Sequence, residues 1–224
     1  MTMAELLAEL KPMSIVQDLE FASELLKAAK SKKVIEFGAG AGGWILTMNH
    51  LVPDVTFIAV ENFSIAFGDD WPKTKASWLL YVHNKAFAVG NDLSVTIMDK
   101  DVTEMKFKGE YDAVRFDCLT NMKDITKLID KVMPHTSETS LFFVDDISPN
   151  TCPGRFMAFM EKSLKNELLP VWFGHKEGAW CKNINLRAEL QKALCQRFGE
   201  KGMRWLEIND SVYPIYLGND WNKR

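Results

Sequence analysis

The stretch VIEFGAGAGGW, residues 34–44, places four glycines within six positions directly after an apolar run. Val34 and Ile35 read as the end of a strand, and Trp44-Ile45-Leu46-Thr47-Met48 as the start of a helix with apolar spacing near 3.6. The glycines therefore sit on a strand-to-helix turn, where a residue without a Cβ takes positive φ and lets a ligand approach the backbone closely. The helix N-terminus behind the turn offers unpaired N–H groups. A glycine-rich turn with no ligand satisfies the same spacing, so the rest of the chain has to decide.

Further strands are predicted at 55–61 (VTFIAVE), 93–98 (LSVTIM), 111–117 (YDAVRFD) and 140–146 (SLFFVDD). Helical patterns cover about 3–10, 15–30, 77–89, 125–133 and 154–167. LLPVWFGH and GAWCKN flank Lys176-Glu177-Gly178 and read as a hairpin, followed by a helix at about 186–198 and a short strand near 212–217. Strands alternating with helices, several of them wholly apolar, argue a mostly parallel sheet covered on both faces. At 224 residues one domain is expected, with N-terminal helices at 1–30, a nucleotide-binding core at 31–182 and a C-terminal extension at 183–224.

Ligands of such sheets lie at the carboxyl ends of the strands. Those ends are acidic here: Glu36, Glu61, Asp99 and Asp101, Asp117, and the pair Asp145-Asp146. Clustered carboxylates repel and raise one another's pKa unless cations or hydroxyl donors balance them. The net charge of −3 supplies no basic field, which makes nucleic acid an unexpected partner. A signal peptide and a run of about 18 apolar residues are both lacking, so a soluble, cytoplasmic protein with no membrane partner is expected. Cys118, Cys152, Cys181 and Cys195 have no zinc-type spacing and read as buried thiols.

Glu61 follows Gly43 by 18 residues, close to where a carboxylate accepts hydrogen bonds from ribose hydroxyls. Glu36, two residues before the first glycine, would repel a pyrophosphate but suits the cationic amino-acid end of S-adenosylmethionine. E-F-G-A-G-A-G at 36–42 resembles the first motif of class I S-adenosylmethionine-dependent methyltransferases, and Y-D-A-V-R-F-D at 111–117 their fourth-strand motif. The resemblance implies an α/β fold, a Rossmann-like doubly wound, mostly parallel seven-stranded sheet with helices on both faces and a late antiparallel hairpin. It also implies a cofactor site of Glu36, Gly38, Gly40 and Gly42, with Glu61 on the ribose, Asp101 and Val102 on the adenine, and Asp117 near the methionine end.

VDDISPNTCPGRFMAFM, residues 144–160, is similar to the fifth-strand region of catechol-type and macrocin-type (sugar) O-methyltransferases. Asp117, Asp145 and Asp146 resemble their metal ligands, and three carboxylates suit Mg²⁺ or another divalent cation. A metal-bound hydroxyl would lose its proton more readily. The sequence departs from both patterns where a base is expected, with Thr120 and Leu119 at those places. Lys123 and His175 are the remaining candidates, and neither matches a motif. Trp71, Trp172 and Trp180 could wall an acceptor pocket or simply pack, and FGDDWPKT at 67–74 reads as a lid. The expected function is methyl transfer to a hydroxyl of a small molecule, aromatic or sugar, assisted by a metal. Metal-independent transfer, S-adenosylmethionine binding without turnover and a nicotinamide enzyme remain open, as do the acceptor's identity and a homo-oligomeric state.

Overall fold

The computed structural model describes residues 3–10, 16–64, 71–147, 152–208 and 211–217. Its strands are β1 (Lys33–Phe37), β2 (Thr56–Glu61), β3 (Val95–Asp99), β4 (Tyr111–Phe116), β5 (Thr136–Val144), β6 (Leu169–Phe173), β7 (Gly178–Cys181), β8 (Met203–Ile208) and β9 (Ser211–Leu217). The helices are α1 (Met3–Leu10), α2 (Val16–Ala28), α3 (Gly43–Leu51), α4 (Lys75–Ala88), α5 (Met122–Val132), α6 (Pro153–Leu164) and α7 (Ile184–Phe198). All nine strands form one sheet in the order β3-β2-β1-β4-β5-β7-β6-β9-β8. β1 to β5 pair in parallel, and β7 enters antiparallel between β5 and β6.

The seven-stranded expectation is corrected to nine. β8 and β9 form an antiparallel hairpin, and β9 joins β6 through Trp172↔Tyr216 and Phe173↔Leu217. The β8 segment MRWLEI mixes charged with apolar residues, because it forms the outer edge of the sheet with Trp205 and Glu207 exposed.

The central strands feed two cores. Val34, Ala113, Leu141 and Phe143 face α2, α3, α4 and α7, while Ile35, Phe37, Val114, Phe116 and Phe142 face α5 and α6. In α5 the buried residues Ile125, Leu128, Ile129 and Val132 recur at one helical stripe, and each contributes about 1.5–3 kcal/mol by leaving water. α4 begins at Lys75, because Thr74 and Ser77 form a reciprocal capping box. No helix among the described residues is long and apolar enough to cross a membrane.

The chain runs outward from β1 to β3 and returns to β4 beside β1, which opens a crevice at the carboxyl ends of β1 and β4. Gly38 makes this crevice close. Its φ is 82°, and a Cβ there would lie 2.3 Å from the carbonyl oxygen of Asp117. Across the crevice α6 is seated by Gly154, where a Cβ would lie 2.0 Å from the carbonyl oxygen of Thr120. Gly154→Ala must therefore push α6 off the loop after β4, and a loss of about 1–3 kcal/mol is expected by urea denaturation; unchanged stability would show that α6 is not seated there.

Candidate functional site

A cavity of about 480 Å³ occupies this crevice. At one end stands Glu61, the last residue of β2. Its Oε2 accepts from the Gly40 N–H at 2.8 Å, and its Oε1 accepts from the N–H groups of Asn62 and Phe63 at 3.0 and 3.1 Å. A carboxylate has about four acceptor positions, so one remains for a ligand. Gly38 and Gly40 line the floor, and Trp71 stands over Gly40. Trp78 donates its indole N–H to the Gly40 carbonyl at 2.7 Å, which holds the glycine turn from behind. Asp101 and Val102 line the side below β3. One oxygen of Asp101 accepts from the backbone and hydroxyl of Thr103, and these bonds lower its pKa.

The other end of the cavity is built on a charge cluster. Glu36 and Arg115 are register partners on β1 and β4 and share the sheet face of Val34 and Phe143. Arg115 is 1% exposed, and its guanidinium lies 5.0 Å from the Trp44 ring centre. It donates to Glu36 Oε1 through Nη1, to Asp117 Oδ2 at 3.0 Å, and to Glu177 Oε1 through Nε and Nη2 at 3.1 and 2.6 Å. Asp145 Oδ1 lies 3.1 Å from Nη2. Arg155 of α6 completes the cluster: it donates to Asp117 Oδ1 at 3.2 Å and to the carbonyls of Asp145 and Leu119, each at 3.0 Å.

Four carboxyl groups thus share two guanidinia at this end of the cavity. Burial pushes the Glu36 carboxyl up to about 8, against the pull of Arg115, and it also raises Asp117 and Glu177. Oε2 of Glu36 and of Glu177 have no hydrogen-bond partner among the described residues. Removing one member of a buried ion pair costs about 3–5 kcal/mol, so the cluster is a structural element as well as a site.

The metal expectation does not fit these donors. Asp117 is held by two arginines and Asp145 by one, and Asp146 Oδ1 lies 4.0 Å from Lys176 Nζ. A divalent cation between the three would face guanidinium and ammonium charges already in contact with its ligands. No group of three or more His, Cys, Asp and Glu among the described residues is arranged to hold a metal ion.

Gly38, Gly40, Glu61, Asp101, Val102, Asp117, Asp145 and Asp146 all line the cavity. Glu36 and Gly42 do not: Glu36 is buried beneath the turn, and Gly42 is the N-cap of α3. Neither base candidate lines it, since Lys123 is exposed on the first turn of α5 and His175 on the β6–β7 turn. Trp172 and Trp180 are core residues and only Trp71 reaches the cavity. Residues 67–70 of the expected lid, and 148–151 after Asp146, lie outside the described residues. Sequence reasoning missed Arg115 and Arg155. Arg115 carried a readable signal, because an arginine inside the apolar strand YDAVRF requires a buried acid beside it.

Strain marks the same rim. Of the five described non-glycine residues with positive φ, Phe63, Leu119 and Asp146 lie just after β2, β4 and β5, Leu119 and Asp146 lining the cavity and Phe63 between its lining residues Asn62 and Ser64, while Lys30 and Asn166 follow helices. Such backbone persists where the surroundings hold it, often at functional sites.

No protein-family model matches the sequence, and no curated protein matches it significantly. Solved structures do. A Klebsiella pneumoniae protein described as an O-methyltransferase is 12% identical, with 81% of this chain and 90% of that one covered at a TM-score of 0.57. The chain shares the fold of this structure. The TDP-rhamnose 3′-O-methyltransferase of calicheamicin biosynthesis is 13% identical over 73% of this chain and 78% of that one, with a TM-score of 0.56. TomG, an O-methyltransferase of tomaymycin synthesis from Streptomyces achromogenes solved with S-adenosylmethionine, is 11% identical over 80% and 85%, with a TM-score of 0.52. At these identities the fold is what is shared.

The cluster makes stability pH-dependent. In the folded chain Glu36 holds its proton up to about pH 8, whereas its ordinary value is near 4.5. The folded state therefore binds the extra proton throughout that window, and unfolding free energy falls as pH rises through it. Urea midpoints of the ligand-free protein should decline from about pH 5 to about pH 8, and Glu36→Gln should flatten the decline; a midpoint that rises over this range contradicts the assignment.

Proposed function

We propose that the chain binds S-adenosylmethionine in this cavity and transfers its methyl group to a hydroxyl of a small molecule, aromatic or sugar, without a metal ion. The observation that carries the reading is Glu61, whose carboxylate stands over the glycine turn with one acceptor position left. One ribose hydroxyl donates to Glu61, the adenine lies by Asp101 and Val102, and the methionine half runs over Gly38 and Gly40 toward Asp117. Four carboxyl groups face Arg115 and Arg155 there, three of them raised toward their protonated form, so a bound sulfonium and ammonium would draw those protons off and be stabilised, whereas a pyrophosphate would find no such response.

In the reaction an acceptor oxygen forms a bond to the methyl carbon as the carbon–sulfur bond breaks. The electron pair of that bond neutralises the sulfonium, giving S-adenosylhomocysteine. The hydroxyl proton leaves to a carboxylate of the cavity. Asp145 suits this role, because one arginine side chain contacts its carboxylate whereas two hold Asp117. One observation favours a second reading, cofactor binding without turnover: guanidinia already engage both carboxylates that would take the proton.

Calorimetric titration tests the cofactor. S-adenosylmethionine should bind in the micromolar range, and NAD no better than adenosine. Glu61→Ala removes a charge-assisted contact of about 1.5–3 kcal/mol per bond, so affinity should fall at least about tenfold; an unchanged affinity removes Glu61 from the site. Methyl transfer to a panel of catechols, phenols and sugars separates the remaining readings. Turnover that survives a chelator is expected; turnover abolished by it restores the metal, and none with any acceptor favours binding alone.

A further inference from the structure

The cavity end at β5 is held from outside the sheet. Asp18, on the first turn of α2, is buried and accepts three backbone N–H bonds from the β6–β7 turn: Oδ1 from His175 at 2.9 Å, and Oδ2 from Lys176 at 2.7 Å and Glu177 at 3.2 Å. The contact leaves no room, since a Cβ on Gly174 would lie 2.1 Å from Asp18 Oδ1. The turn closes on itself through Gly174 N–H to Glu177 carbonyl at 2.7 Å, and it joins the segment after β5 through Ile147 N–H to Lys176 carbonyl at 2.8 Å.

Two side chains leave this turn on opposite errands. Lys176 lines the cavity beside Asp146, and Glu177 grips Arg115. Arg115 in turn holds Asp117, whose carbonyl packs against Gly38 at the floor. A shift of the 174–177 turn would therefore be felt at the Asp117 end of the cavity and not at Glu61, which is held by its own strand end and the glycine turn.

We propose that Asp18 is a positioning residue for the methionine half of the cofactor site: it fixes the 174–177 turn, and through Glu177 and Arg115 it sets where Asp117 stands. The inference rests on the cofactor reading above and adds a residue from a helix that touches no part of the cavity. Asp18→Asn would turn an amide NH₂ toward N–H donors and loosen the turn without changing the shape of the side chain.

The test compares two ligands that share the adenosine half. S-adenosylmethionine carries the amino-acid end, and 5′-methylthioadenosine lacks it. In Asp18→Asn the affinity for S-adenosylmethionine should fall by about fivefold or more, and that for methylthioadenosine should stay within about twofold. Leu25→Ala, a core truncation on the same helix, should lower the melting temperature and leave the affinity ratio unchanged. Asp18→Ser, which has no amide donor, repeats the test if the asparagine variant does not fold. An equal loss for both ligands, or no loss, makes Asp18 a structural residue only and overturns the inference. Failure of the wild-type protein to bind either ligand would instead bring down the cofactor reading.

Discussion

A positive charge buried in the middle of a parallel sheet sets the terms for everything at its carboxyl end. Arg115 occupies a strand position where the neighbouring faces are apolar, and it is tolerable only because Glu36 lies opposite in register while Asp117, Asp145 and Glu177 close around it. These acids come from β1, from just after β4 and β5, and from the β6–β7 turn, so one guanidinium ties together four segments distant in sequence. Ionic contacts of this kind add little net stability compared with an apolar core, but they permit one register and one arrangement of strand ends.

The same arrangement answers a problem the acids create. Strand ends crowded with carboxylates need cations, and a metal ion is one solution. This chain uses guanidinia, with Arg115 inside the sheet and Arg155 reaching in from α6. An arginine is covalently part of the fold and needs no open coordination position, so the cavity keeps its room for a ligand. The cost is that the carboxylates are partly engaged before any ligand arrives.

Much of the architecture was legible because its signals are local. The glycines after Val34-Ile35 mark the first turn, and the alternation of apolar runs with helical patterns gives the parallel sheet. The residues that misled depend on what is far away in sequence. Lys123 and His175 are the right chemical types near the right strand ends, yet the first turn of α5 and the β6–β7 turn carry them to the surface. Trp172 and Trp180 lie on strands covered on both faces, so their size fills the core. β8 was missed because an edge strand with one open side need not read as apolar. The three aspartates were read as an unbalanced group, since nothing local says that Arg155, 38 residues beyond Asp117, folds back onto it.

Phe63, Leu119 and Asp146 keep left-handed backbone where glycine would sit more comfortably, at roughly 1–2 kcal/mol each. The Leu119 carbonyl is aimed at Arg155 by that conformation. Glycine at these three positions would relieve the torsion, and it would also widen the set of shapes the rim can adopt. Thermal robustness and a sharply defined cavity mouth are thus opposed in this chain, and a search for hardier variants would be drawn first to the residues that give the mouth its outline.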